Sequence, residues 1–357
     1  MVNQLFIFHG DLGAGKNILK NITSDTAIKD TFMQSIILKT SDGVIWNKQS
    51  AVIEIIDKLS RGSITLDLLN EGPDCQTCGI DNMLNEIVDY SNLDKSLITI
   101  NTSNQLSSSA YKEIRAGFVE LDMAKKISIT KKLIPSTLKK TFGIFIGRSN
   151  WARLGLASYM HTHHRNKINI TFHYDPTNDF FKNNFGLEEL VTKNWNQVSD
   201  VFHFLPHLPL TDSTQQSYPI LWNKGGYDLD DQYRDVFCEI VCETYFTGRV
   251  FFFTEKLMRC ILNRRPFIVQ GPRYFLKNLK KLGFQTFEQW WDEGYSDDMP
   301  DAMFESIKQN IDWISSQSDN TLHTWYYEMQ PVLEHNFRVL QNLTNKEIVN
   351  TVFDYHE

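Results

Sequence analysis

Thr254-Glu255-Lys256 places a hydroxyl, a carboxylate and an ammonium group on consecutive residues, shortly after the acid-tipped apolar run Cys238-Glu239-Ile240-Val241-Cys242-Glu243-Thr244. A carboxylate in such a setting accepts hydrogen bonds from sugar or ribose hydroxyls, and a lysine neutralises phosphate. Together they could hold a sugar nucleotide. Upstream, Arg148 and Arg153 flank the turn after the apolar stretch Phe142 to Ile146. Arginine at a strand-to-helix turn suits bidentate phosphate binding, because its planar fork matches two phosphate oxygens. Plainer readings stand beside these: an exposed Glu-Lys pair at a helix start, and arginines that cap their own sheet.

Such residues need a frame that aims them at one crevice. Val236 to Val241 reads as a buried strand, Glu255 to Asn263 as a helix, and Phe267 to Gln270 as a second strand ending at Gly271-Pro272. In an open α/β sheet, strand ends of this kind border the crevice where nucleotides bind. Phe142 to Ile146 and Ile168 to His173 supply further strands, with helices over Trp151 to His161 and Tyr274 to Leu282. The first 135 residues alternate in the same way. Strands are expected over 4–9, 35–39, 63–69 and 96–101, helices over 51–59 and 82–90, and a polar loop over 102–109. The alternation predicts mostly parallel, doubly wound sheets. A Lys-rich, Pro-containing stretch over 125–140 reads as the linker, and beyond Met299 only helical periodicity remains. The expected organisation is a Rossmann-like domain over residues 1–135, a second over 136–298, and a helical tail over 299–357.

The 357 residues suffice for two cores, and 41% hydrophobic content with 22% charged residues describes an ordinary globular chain. A net charge of −7 argues against a general nucleic-acid binder, which needs a basic surface. No apolar run approaches the ~18 residues of a membrane span. The first residues, Met1-Val2-Asn3-Gln4, do not open a signal peptide, and the five cysteines suit reduced, buried thiols. A cytoplasmic protein is expected.

With these motifs in order, the segment from about 142 to 285 resembles the α-1,3-fucosyltransferases, GT-B glycosyltransferases that use GDP-fucose. Phe237 to Thr244 stands for the family's first strand-end block, Thr254-Glu255-Lys256 for its helix start, and Pro266 to Pro272 for its second strand. Thr244 occupies a position where that family has asparagine. Ser149-Asn150-Trp151-Ala152-Arg153 matches an upstream Ser-Asn block followed by arginine. The resemblance implies two Rossmann-like domains facing a cleft, with Arg153 and Lys256 on the diphosphate. It implies that Glu255 and Glu243 hold ribose or sugar hydroxyls. Asn70-Glu71-Gly72-Pro73-Asp74 is similar to the family's general-base block, which points to Glu71 as the catalytic base. The implied activity is inverting transfer of a sugar, fucose from GDP-fucose, to a glycan acceptor. Two cations can absorb the departing charge, so magnesium is not required and no metal ligand is assigned.

Two other classes stay open. Gly10-Asp11-Leu12-Gly13-Ala14-Gly15-Lys16-Asn17 fits P-loop spacing directly after a strand, with Gly13, Gly15 and Lys16 as phosphate-loop candidates for a nucleotide kinase or ATPase. Asn17, however, stands where Ser or Thr would reach magnesium, and a glycine-rich turn lining the cleft is the preferred reading. The third class is a glycan-binding protein without turnover. Cys75-x-x-Cys78 lacks a second pair at metal spacing, His161, His163 and His164 read as a solvated helix end, and Trp290-Trp291 as core.

Overall fold

A computed structural model of the protein describes residues 3–6, 63–68, 72–76, 80–118, 121–126, 138–147, 149–172, 186–192, 198–211, 233 and 236–355. The expected strand over 35–39, the expected helix over 51–59 and the glycine-rich segment with Gly13, Gly15 and Lys16 lie outside the described residues.

Alternating strands and helices build two sheets of mainly parallel strands, so the chain is mixed α/β. The first sheet contains β1 (Asn3–Phe6), β2 (Ile64–Leu68), β3 (Ile98–Thr102) and β4 (Lys112–Arg115), all parallel and adjacent in that order. α1 (Ile80–Ser91) leads from β2 to β3 and buries Leu84, Ile87 and Val88, and α2 (Leu121–Lys126) follows β4. The sequence pattern did not predict β4. Its residues, Lys-Glu-Ile-Arg, are largely exposed at the sheet edge, where no apolar alternation is needed.

The second sheet contains β5 (Lys140–Ile146), β6 (Ile168–Phe172), β7 (Leu210–Thr211), β8 (Val236–Cys242) and β9 (Phe267–Gln270). Its spatial order is β7-β6-β5-β8-β9, with only the edge strand β7 antiparallel. The order runs outward from β5 in both directions. The reversal falls between β5 and β8, and the carboxyl ends of these two strands therefore form a topological switch point. α3 (Trp151–His164) leaves the end of β5, α4 (Leu187–Thr192) and α5 (Val198–Phe204) lie between β6 and β7, α6 (Glu255–Leu262) joins β8 to β9, and α7 (Phe275–Lys281) follows β9. The tail is helical: α8 (Pro300–Ser315), α9 (Asp319–Glu328), α10 (Gln330–Asn342) and α11 (Asn345–Asn350).

β8 explains itself from composition. All seven residues of Val-Phe-Cys-Glu-Ile-Val-Cys are buried, as expected for a parallel strand covered on both faces. α11 begins with a capping box, in which Thr344 and Glu347 each satisfy the other's backbone N–H. One apolar core joins the second sheet to Ile307, Ile311, Leu333 and Leu340 of the tail and reaches Leu106, Phe118 and Leu121 of the first segment. Phe118 meets the Phe253 ring edge-on at 4.7 Å, so the two sheets share packing. No helix among the described residues is long and apolar enough to cross a membrane.

Candidate functional site

The start of α6 is where the singled-out residues meet. Thr254 has extended backbone and caps the helix, its Oγ1 accepting from the Lys256 N–H at 3.3 Å. The same oxygen accepts from Lys256 Nζ at 3.1 Å and donates to Glu243 Oε2 at 2.7 Å. The Thr254 N–H donates to Glu243 Oε1 at 3.2 Å, and Lys256 Nζ lies 2.9 Å from Glu255 Oε1. Glu243, Thr254, Glu255 and Lys256 thus form one network across the gap between β8 and α6.

Exposure divides the labour within it. Glu243 and Thr254 are buried, whereas the side chains of Lys256 and Glu255 are 14% and 23% exposed. Of the four, Lys256 and Glu255 are the two whose side chains a ligand could reach. Glu243, expected to hold a sugar or ribose hydroxyl, has both carboxylate oxygens engaged by Thr254, and it anchors the helix start to the end of β8. Burial raises the Glu243 carboxyl above its ordinary range, and the Lys256 charge opposes that rise.

Arg153 comes to the same strand end from α3. Asn150 caps that helix by accepting from the Arg153 N–H at 2.9 Å, and the Arg153 side chain is buried. Its Nη2 donates to the Cys242 carbonyl at 3.2 Å and the Glu243 carbonyl at 2.8 Å. Both cations act on one point: burial pushes the Cys242 thiol up to about 12, while Arg153 and Lys256 both pull it down. The mouth of α3 itself is covered. Gly186, at φ +85°, lies so close that a Cβ there would sit 2.1 Å from the Trp151 nitrogen. The first turn of α6, with Lys256 on it, is the more accessible of the two helix starts. The sheet-capping role considered for the arginines is the contact Arg153 makes here.

Across the seam, the loop after β3 grips the loop after β8. Asn104 Oδ1 accepts from the Phe251 N–H at 2.9 Å, its Nδ2 donates to the Arg249 carbonyl at 2.9 Å, and the Gln105 N–H donates to the Phe251 carbonyl at 3.0 Å. Gly72 packs beneath this loop at φ +47°, where a Cβ would approach the Asn104 nitrogen to 2.8 Å. Glu71 and Arg148 lie outside the described residues, as does Cys78. Gly72 thus packs against Asn104, the residue that bridges to Arg249 and Phe251.

A buried ion pair supports the site from below, and the sequence reading passed over it. Arg259 on α6 donates from Nη2 to Glu239 Oε1 on β8 at 3.0 Å and from Nε to the Tyr233 hydroxyl at 3.2 Å. Tyr233 in turn donates to Glu239 Oε2. Burial raises the Glu239 carboxyl, against the pull of Arg259. The signal was a glutamate inside an apolar strand, together with an arginine in the last turn of an otherwise apolar helix face. The other motifs resolve elsewhere. His163 and His164 face Asp200 and Asp312, and Trp291 is core. Cys75, Cys238, Cys242 and Cys260 are buried free thiols. No group of three or more metal-ligating side chains occurs among the described residues.

No protein-family model matches the chain, and no characterised protein is significantly similar to it in sequence.

Proposed function

We propose that the protein is an inverting glycosyltransferase of GT-B architecture, moving a sugar from a nucleotide diphosphate donor to a hydroxyl of a glycan acceptor. GDP-fucose is the donor favoured by the family resemblance. The observation that carries this reading is the Lys256–Glu255 pair. It is partly exposed at the first turn of α6, locked by Thr254 and Glu243, and backed by Arg153 at the switch point of a parallel sheet.

In this scheme the donor diphosphate rests on Lys256 and the first turn of α6. Glu255 accepts from donor hydroxyls. Arg153 holds the carbonyls that end β8 and adds positive potential. Glu71 takes the acceptor hydroxyl's proton as that oxygen attacks the anomeric carbon. The bond to the diphosphate breaks, its electrons leave with the nucleotide, and Lys256 neutralises the developing charge. Closure of the two domains over the cleft excludes water from the sugar.

Thermal-shift titration with GDP, UDP, CMP and ATP, with and without magnesium, tests the reading. GDP at ~100 times its Kd is expected to add about 2.7 kcal/mol of stability without magnesium. Lys256→Ala is expected to remove that gain and leave the unliganded melting temperature nearly unchanged. Stabilisation by magnesium-ATP alone, lost in Lys16→Ala, would instead point to a P-loop enzyme. Glu71→Gln keeps donor binding and abolishes transfer if the protein turns over. A wild-type protein that binds both substrates without transfer is a glycan-binding protein.

A further inference from the structure

The loop after β3, the end of β4 and the segment following α11 enclose a cavity of about 290 Å³ at the seam between the sheets. That volume is near the lower bound of the roughly 300–1,000 Å³ found for small-molecule sites. Two guanidinium groups line it, Arg115 from the end of β4 and Arg249 from the loop after β8, and no carboxylate among the described residues does so. In a chain of net charge −7 this is a local inversion of sign. Two cations lining one small cavity repel each other, and an anion placed there relieves that cost.

The arginines are held in place by different means. The Arg249 guanidinium lies 4.9 Å from the centre of the Tyr355 ring, and its buried Nε has no hydrogen-bond acceptor among the described residues. Among the described residues, Arg115 donates to the Ser107 carbonyl at 3.4 Å. Glu113, whose charge also interacts with Arg115, accepts from the Ser107 hydroxyl at 2.6 Å. The rest of the wall mixes Gln105, Asn350 and Thr351 with the rings of Phe353 and Tyr355 and with aliphatic side chains. Amide and hydroxyl groups beside aromatic faces suit a hydroxylated ring, with its C–H face on the aromatics and its hydroxyls on the polar groups.

We propose that this cavity binds a phosphorylated, sugar-sized molecule. Arg115 and Arg249 take the phosphate, and residues 350–355 cover the ring. The site is separate from Lys256 and Glu255, so it goes beyond the transfer reaction proposed above. Its occupant would tie three segments together: the edge of the first sheet, the loop after β8, and the C-terminal residues.

Calorimetric titration of the full chain with glucose 6-phosphate tests the assignment, with glucose, glucuronate and inorganic phosphate as comparison probes. Glucose 6-phosphate is expected to bind at least tenfold more tightly than any of the three. Arg249→Ala and Arg115→Ala are each expected to weaken it at least tenfold, with GDP affinity kept within twofold. Arg115 is exposed, so its replacement carries the test if Arg249→Ala does not fold. Equal affinity for glucose 6-phosphate in wild type and Arg115→Ala overturns the proposal. So does inorganic phosphate, glucuronate or glucose binding as tightly as the ester. A protein that binds glucose 6-phosphate through these arginines but no GDP supports this site while removing the donor reading.

Discussion

Replacing Thr254 by valine keeps the shape and β-branching of the side chain and deletes only its hydroxyl. Three contacts disappear with it: the cap on the Lys256 N–H, the 3.1 Å anchor for Lys256 Nζ, and the 2.7 Å donation to Glu243 Oε2. Loss of an N-cap costs about 1 kcal/mol. Loss of a hydrogen bond to a buried carboxylate costs about 1.5–3 kcal/mol more, because among the described residues Glu243 retains the Thr254 N–H alone. The sum is about 2.5–4 kcal/mol. At roughly 2.1 cal/mol/K per residue, the unfolding entropy of a chain this long is about 0.75 kcal/mol/K, so the melting temperature should fall by about 3–5 °C. Scanning calorimetry reads this directly. The same samples titrated with GDP should show affinity weakened about tenfold, since Lys256 loses its Thr254 anchor and keeps the Glu255 pair. Thr254→Ser restores the hydroxyl and should melt within about 1 °C of wild type. A valine variant that melts with wild type, or a serine variant that falls as far as valine, would refute the claim that this hydroxyl organises the site.

Arg259→Met leaves Glu239 buried without its cation, and breaking such a pair should cost about 3–5 kcal/mol in calorimetry. Adding Glu239→Leu should recover most of that loss, and a double variant no better than the single would contradict the pairing. Gly72→Ala puts a Cβ 2.8 Å from the Asn104 nitrogen at a left-handed backbone position. Urea unfolding should show a loss of about 1–3 kcal/mol, whereas an unchanged midpoint would mean that the seam is not built this way. The pH test uses Glu243→Gln. Burial raises the folded-state carboxyl above its ordinary value of 4.5, so the native chain holds that proton more tightly than the unfolded chain does. Its stability contribution is full below pH 4.5 and declines as pH rises through the folded value. Glutamine does not titrate. The stability difference, wild type minus variant, should therefore fall as pH rises above 4.5, and a flat difference would rule out a raised carboxyl.

Much of the frame was written locally. Phe267–Gln270 is a strand over the residues its β-branched, aromatic run predicts, and the helix that opens at Glu255 follows from Thr254 as cap and an apolar face behind it. Such signals depend on periodicity and on hydrogen bonds between near neighbours, which the order of residues specifies directly. Tertiary structure decided what those residues face. Glu243 turned to Thr254 and Arg153 to the carbonyls of Cys242 and Glu243 because β8, α3 and α6 converge at one strand end. Asn104 found its partner at Phe251, 147 residues along the chain, and no local pattern marks a contact of that separation. The edge strand Lys112–Arg115 likewise exists through its ladder with β3, since its own side chains carry no apolar alternation. Sequence alone determined which segments become strands and helices and which side chains carry charge. Only the folded chain decided which of those charges are consumed in holding the backbone and which reach solvent, because burial and long-range pairing are properties of the packed molecule.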